Sequence, residues 1–219
     1  MIEILGVSKA FGSVPALRAV DLTITPGERV AFVGANGSGK TTLLRALLGL
    51  IRCSGQIRIF GLDVARDPAR ALARVAYIPQ VAPPLEASVH EVVRAHSALR
   101  GIEPSAVDSS ARRLGLELCE HRRARFRDLS GGMRQKLLAS LALATRADVL
   151  VCDEPTANLD IAARAAFFEQ LAERPKDSIS IFCSHRLEEV DLLVGRVVEL
   201  REGVIVSDTR HRQLHAVAS

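Results

Sequence analysis

Residues Gly34-Ala35-Asn36-Gly37-Ser38-Gly39-Lys40-Thr41 follow the pattern G-x-x-x-x-G-K-[ST], whose residue types suit the binding of a polyphosphate. The glycines let the chain curl so that successive backbone N–H groups point inward, and a helix N-terminus behind them adds partial positive charge. Lys40 would neutralise β- and γ-phosphate oxygens; Thr41 would place its hydroxyl on Mg²⁺, with Thr42 beside it in the first helical turn. Two carboxylates, Asp153 and Glu154, follow the apolar run Val149-Leu150-Val151-Cys152. Closing a buried strand in an α/β protein, they stand at the edge where ligands bind. Asp153 would join the magnesium shell, and Glu154 would polarise an attacking water as general base. Ser130-Gly131-Gly132, opening a helix, would offer a second anion-binding helix terminus.

These groups need a framework, and the chain supplies one. Residues 2–7 and 21–25 read as short strands, and Pro26-Gly27 turns into the buried-strand pattern of residues 29–33. The glycine loop follows, then a helix over 42–48 stopped by Gly49. Further on, a helix through 135–144, a strand at 149–152, a helix at 162–172 and a strand at 179–183 imply a mainly parallel sheet. Residues 197–200 and 204–206, joined through Glu202-Gly203, form a closing hairpin. Between them, residues 81–127 change texture: Pro83-Pro84, then Val89, Val92 and Val93, then Ala111, Leu114 and Leu118 at helical spacing. We expect one domain over 1–219, with an α/β core of 1–80 and 128–219 and an inserted helical subdomain of 81–127.

Composition narrows the partners. The 219 residues suffice for one α/β domain, and no run approaches the roughly eighteen apolar residues of a membrane span. The N-terminus carries Glu3 where a secretory signal would be basic, which predicts a cytoplasmic chain. The net charge of +4 comes with seven Phe, one Tyr and no Trp. A stacking surface for nucleic acid is poorly supplied, and no nucleic-acid partner is expected. The cluster Arg122, Arg123, Arg125, Arg127 is read as a solvated face, with contact to a partner or to lipid headgroups as the alternative. The cysteines Cys53, Cys119, Cys152 and Cys183 lack CxxC spacing and are read as buried, reduced thiols.

The stretch Leu129-Ser130-Gly131-Gly132-Met133-Arg134-Gln135, taken with the phosphate loop and the acidic pair, resembles the signature of ABC ATPases. That resemblance implies a P-loop NTPase fold: a RecA-like, mainly parallel sheet, a small antiparallel β subdomain and the helical insertion. It also implies roles along the chain. Phe11 falls where the family stacks an aromatic on adenine. Gly34, Asn36, Gly37, Ser38 and Gly39 would wrap the phosphates, and Gln80 would reach magnesium and the water. Ser130, Gly131 and Gly132 would face the γ-phosphate held by another subunit. Asp160, in Ala157-Asn158-Leu159-Asp160, would help two subunits sense each other, or cap the helix that follows, the two roles being compatible, and His185 would contact the γ-phosphate. The cofactors implied are ATP and Mg²⁺. The implied partners are a second copy, or a homologous ATPase subunit, and a separately encoded transmembrane permease received near residues 81–100 on the cytoplasmic face of the membrane. The eight residues from Leu129 to Lys136 look most like subunits of bacterial exporters. A non-transport ABC ATPase acting on ribosomes or nucleic acid is the rival reading, without the paired domains or coiled-coil insertion those proteins carry.

Overall fold

Alternating apolar residues at the N-terminus make β1 (Ile2–Phe11), which pairs antiparallel with β2 (Val14–Ile24) across the turn Gly12-Ser13. Both strands outrun the sequence expectation, which ended the first at residue 7 and began the second at residue 21: Gly6 serves as a bulge and Gly12 opens a tight turn. Ile2 and Ile4 are buried; the register shifts at Gly6 (φ 57°), and Val7 then returns to the buried face. A bulge is how one extra residue is absorbed without exposing the rest of an apolar face. The other neighbour of β1 is β4 (Ser54–Ile59), with β5 (Leu62–Asp63) beyond it. This is the antiparallel sheet that the family resemblance implies.

The computed structural model describes residues 1–183 and 194–210, in two compact units. The first comprises Met1–Val75 and the chain from Lys176 onward. Besides the antiparallel sheet it holds β3 (Arg29–Val33), parallel to both β8 (Ile179–Cys183) and β9 (Arg196–Arg201). Every residue of β8, and of β3 from Val30, is buried, as expected of strands covered on both faces. An antiparallel hairpin joins β9 to β10 (Val204–Arg210). Its two turn residues, Glu202 (φ 50°) and Gly203 (φ 81°), both have positive φ, the type I′ geometry whose twist matches the strands it joins. The base of the hairpin is locked by Arg196, which donates 2.7 Å hydrogen bonds to both carboxylate oxygens of Asp208 and a 2.8 Å bond to the Thr23 carbonyl, and also meets Glu28. Between β3 and β4 runs α1 (Lys40–Leu47), buried through Leu43, Leu44, Ala46 and Leu47; α2 (Pro68–Ala73) is capped by Asp67.

The second unit, Ala76–Pro175, contains α3 (Val89–Arg100), α4 (Pro104–Arg113), α5 (Leu118–His121), α6 (Gly131–Ala144) and α7 (Ile161–Ala172). Two strands sit beside each other: β7 (Val149–Asp153) and β6 (Val75–Ile78), the latter beginning at the last residue of the first unit. A core of Val89, Val93, Val107, Ala111, Leu116, Leu118, Phe126, Leu129, Leu137 and Leu141 gathers α3 to α6. Ser88 starts α3 with a capping box, its hydroxyl accepting from the Glu91 amide while the Glu91 carboxylate accepts from the Ser88 amide. Gly101, in the left-handed region, ends that helix. Ser110 and Gln170 bond at 2.7 Å in the interior, next to a bidentate Arg113–Glu173 pair, and tie α4 to α7.

Cys152 and Cys183 are buried as expected, and burial pushes the Cys152 thiol far up. Cys53 is half-buried and Cys119 exposed, because Cys119 lies on the outward side of the single-turn α5. The arginine cluster is exposed; Arg125 and Arg127 pair with Glu86, and Arg122 meets His90.

Candidate nucleotide-binding site

Strand β3 delivers the chain to Gly34, whose φ of 140° only glycine adopts with ease. A Cβ here would sit 2.2 Å from the Leu200 carbonyl oxygen and 2.7 Å from the Ser38 hydroxyl. The loop closes through the Ser38 amide, which donates to the Ala35 carbonyl at 3.1 Å. Ala35, Asn36 and Gly37 are exposed, whereas Ser38, Gly39 and Lys40 are buried. Gly39 (φ 107°) precedes α1, and a Cβ on it would fall 2.7 Å from the Ala16 carbonyl oxygen. The Lys40 ammonium lies within the loop, donating to the carbonyls of Gly34 at 2.6 Å and Ala35 at 3.0 Å.

The start of α1 has no side-chain cap and no acidic residue in its first turn, whereas α3, α6 and α7 are each capped by a side chain. The amides and partial positive charge of the uncapped helix are left for an anion, beside a lysine already threaded through the loop. Thr41 and Thr42 are half-buried in that turn. At the far end of β1, Phe11 is 52 % exposed, with the Lys9 ammonium 5.1 Å from its ring centroid. Its exposed ring can stack on a heteroaromatic base.

The second unit carries the acidic and signature residues. β7 is buried throughout and ends at Asp153, which is 4 % exposed. Glu154 follows with φ 50°, a left-handed conformation that is costly for a side chain with a Cβ and that clusters at functional sites. Ser130 caps α6, its Oγ accepting from the Met133 amide at 3.2 Å. That bond occupies a lone pair and leaves the hydroxyl proton to be donated elsewhere. Gly131 is exposed at the helix tip. Gln80 is exposed two residues beyond β6. His185 lies outside the described residues.

Sequence reasoning passed over how α6 grips the loop after Glu154. The side chain of Gln135, 2 % exposed, donates to the Pro155 carbonyl at 3.1 Å. Lys136 pairs with Asp160 at 2.7 Å, while the other Asp160 oxygen caps α7 by accepting from the Ala163 amide at 2.8 Å. Gly132 lies so close to the Asn158 carbonyl oxygen that a Cβ would come within 3.1 Å. With Lys136 as the main cause and the Ala163 amide next, the Asp160 carboxyl is held below the usual carboxylate range. Glutamine and lysine side by side at the polar start of an otherwise apolar helix were the signal that could have been read.

The site residues fit magnesium and a nucleotide in kind. Thr41 and Asp153 offer hard oxygen donors, and among the described residues no cluster of three His, Cys, Asp or Glu forms a protein-only metal cage. Magnesium normally keeps waters and substrate phosphates in its shell, so few protein ligands suffice.

Residues 17–157 match the sequence profile of the ABC transporter family. Over 208 residues the chain is 36 % identical to ATP-binding cassette sub-family A member 7 of Rattus norvegicus, covering 92 % of this chain and 10 % of that protein. It is 35 % identical over 221 residues to the macrolide export ATP-binding/permease protein MacB of an Azoarcus species, covering 95 % of this chain and 34 % of the relative. The chain thus spans only a minor part of these relatives. In fold it is similar to the solved ATP-binding subunit of an ABC transporter, with a TM-score of 0.87 at 24 % identity over 96 % of this chain and 90 % of the other. By the profile match, and with the α/β fold of such cassettes, this chain belongs to the ABC transporter family as an ABC ATPase.

Proposed function

We propose that this chain binds Mg-ATP, pairs with a second copy or a homologous ATPase subunit, and hydrolyses ATP to drive a separate transmembrane permease, working as an exporter on the cytoplasmic face of the membrane. The observation that carries this reading is the uncapped N-terminus of α1 behind a glycine loop that already holds a buried lysine. In this reading Phe11 stacks on adenine, while Lys40 and the amides from Gly34 to Thr42, with the side chains of Asn36 and Ser38, take the phosphate charge. Ser130, Gly131 and Gly132 of one copy face the γ-phosphate held by the other.

Glu154 takes a proton from water as the water oxygen bonds to the γ-phosphorus and the bond to the bridging oxygen of ADP breaks. Bound magnesium, held by Thr41, Asp153 and Gln80, would neutralise charge on the β- and γ-oxygens. Asp160 orders the loop behind Glu154 toward the other subunit, and His185 would steady the γ-phosphate. Loss of that phosphate removes the charge shared by two helix termini, so the pair separates. Export is favoured by the macrolide-export relative and by the eight residues from Leu129 to Lys136. No helix among the described residues is long and apolar enough to cross a membrane, which fits a borrowed membrane partner.

The test combines Glu154→Gln with capture of the tagged chain from its native membranes in mild detergent. Turnover should fall by roughly 10²–10³-fold, the size expected when a positioned base is removed, while ATP traps a dimer visible by light scattering and a polytopic membrane protein co-purifies. Undiminished turnover, or a variant that stays monomeric in ATP, would overturn the base and the dimer. Ribosomal or DNA-bound partners in place of a membrane protein would overturn transport. A co-purifying extracytoplasmic solute-binding protein would overturn export.

A further inference from the structure

The β9–β10 turn reaches back to the phosphate loop. Gly203 donates its amide to the Ser38 carbonyl at 3.0 Å and accepts the Arg18 amide at 2.8 Å. It is thereby bonded at once to the loop and to β2. The fit leaves no room for a side chain: a Cβ on Gly203 would lie 2.8 Å from the Ala16 carbonyl oxygen and 3.0 Å from the Leu17 Cα. The packing is mutual, since a Cβ on Gly39 would come within 3.4 Å of the Gly203 Cα. One strand further back, the Leu200 carbonyl oxygen is the atom that forbids a side chain on Gly34. The last hairpin therefore touches the loop at both its first and last glycines.

A peptide unit is planar and trans, so its C=O and N–H point in opposite directions. Fixing the Ser38 carbonyl on Gly203 turns the amide of Gly39, the last loop residue before Lys40, away from the hairpin. We propose that the β9–β10 turn, through Gly203, is a positioning element of the nucleotide site, setting the orientation of the Ser38–Gly39 peptide so that its N–H faces the phosphates. The proposal rests on the reading of Gly34–Thr41 as the ATP phosphate site, and adds to it residues some 160 positions away in sequence. It assigns Gly203 a role beyond turn formation, since the type I′ turn alone asks for positive φ and not for contact with β2 and the loop. The Arg196–Asp208 pair at the hairpin base serves the same end by holding β9 and β10 in one register.

The test measures dissociation constants for a fluorescent ATP analogue and, by competition, for pyrophosphate, which reports on the loop without the base. Two variants of the full chain are used: Gly203→Ala, which forces a Cβ against Ala16, and insertion of one glycine after Glu202, which lifts the turn off the loop while keeping a hairpin length proteins readily adopt. Glu202→Gly serves as control, since it eases the turn and leaves Gly203 in place. Both test variants should weaken ATP analogue and pyrophosphate alike by about ten-fold or more, a loss the size of one misplaced charge-assisted hydrogen bond. KM for ATP should rise several-fold more than kcat falls, and the control should bind as the unaltered chain does. A turn that matters only for folding would lower the fraction of competent protein and leave the dissociation constant of that fraction unchanged. Unchanged constants in the glycine-insertion variant overturn the proposal, whatever the alanine variant does. Failure of the unaltered chain to bind either probe would instead strike the nucleotide reading itself.

Discussion

The phosphate loop and the signature region solve a similar problem with different materials. Both present a helix N-terminus, α1 in one unit and α6 in the other. The first is shaped by main chain against main chain: Gly34 against the Leu200 carbonyl, Gly39 against Ala16, Gly203 against Ser38. The second is shaped mostly by side chains: Ser130 on Met133, Gln135 on Pro155, Lys136 and Ala163 on Asp160. Backbone contacts are the same for every residue type but cannot yield, so such a site admits glycine or fails. Side-chain contacts can be weakened by degrees, and a site built from them can be tuned.

The largest expected contrast comes from one methyl group placed in each region. Gly34→Ala puts a Cβ where a carbonyl oxygen lies 2.2 Å away; overpacking of this kind costs about 1–3 kcal/mol and sometimes more. The unusual φ adds to it. We expect poor folding and no measurable ATP binding, checked by thermal melting and nucleotide titration. At Gly131 an added Cβ meets nothing within 4 Å, and alanine favours a helix over glycine by up to about 1 kcal/mol. Gly131→Ala should melt no lower than the parent while ATP turnover falls. If the two variants lost stability equally, the distinction between the regions would collapse.

Next in size is Lys136→Met, which keeps the apolar stem and removes the charge on Asp160. ATP affinity should be unchanged, because no phosphate-loop residue is altered. Turnover should drop by about ten-fold, as for a modest misplacement of a positioned group, with Lys136→Arg restoring most of it. The pH dependence supplies a second reading. Asp160 is depressed in the folded chain, so its contribution is present above the unfolded carboxylate pKa and is lost as pH falls through the lower folded value. Removing Lys136 raises that folded value toward the ordinary one, and the loss should begin at higher pH in the variant. A variant with unchanged kcat would show that the pair is decoration on a loop held by Gln135 alone.

How much of this could be read from the sequence follows the same division. The glycine loop from Gly34 to Gly39 was legible as glycines at fixed spacing between a strand and a helix, and β3 and α1 on either side of it were found. The hairpin turn was legible too, since Glu202-Gly203 between apolar runs leaves little choice. What it touches was not legible, because contacts over such separations are set by sheet order and leave no local pattern. β4 and α2 were passed over: β4 begins Ser54-Gly55-Gln56, and the six residues of α2 are too few to show a period. In the helical insertion the helical spacing of Val89, Val92, Val93, Ala111, Leu114 and Leu118 was read; of these Val89, Val93, Ala111 and Leu118 join one buried core, with Val92 packed against it. The extent of β1 was misjudged where Gly6 shifts its alternation by one residue. Gln135 was missed because a polar side chain that bonds a backbone carbonyl carries no motif.

A smaller effect probes the hairpin that supports the loop. Asp208→Asn removes the charge that Arg196 holds by two 2.7 Å bonds. Arg196 keeps Asp208 below the usual carboxylate range, so the pair's contribution is complete above the unfolded pKa and fades as pH drops through the folded one. Since Asp208 is about a third exposed, we expect a loss of about 1 kcal/mol at neutral pH. The difference from the parent should shrink below about pH 4, near the ordinary Asp pKa. Because the hairpin bears on the loop, ATP affinity should weaken alongside stability. Denaturant melts across pH, with ATP titration at neutral pH, would decide this; stability lost without any change in affinity would break the link between hairpin and loop.

The smallest change lies in the helical part of the second unit. Ser88→Ala deletes the cap of α3, and loss of a Ser N-cap costs typically about 1 kcal/mol. Part of this should be recovered because the Glu91 carboxylate still accepts the residue-88 amide. The variant should melt a few degrees lower, in line with the usual conversion for a domain of this size, with ATP affinity and turnover unaltered. This outcome separates two kinds of helix start within one chain: at Ser88 the amides are spent on a side chain and serve stability alone, whereas at α1 no side chain takes them and the proposed function gives them to the phosphates. A fall in ATP affinity on removing the Ser88 cap would mean that the helical unit bears on the nucleotide site, and that the two ways of building a helix terminus are not independent.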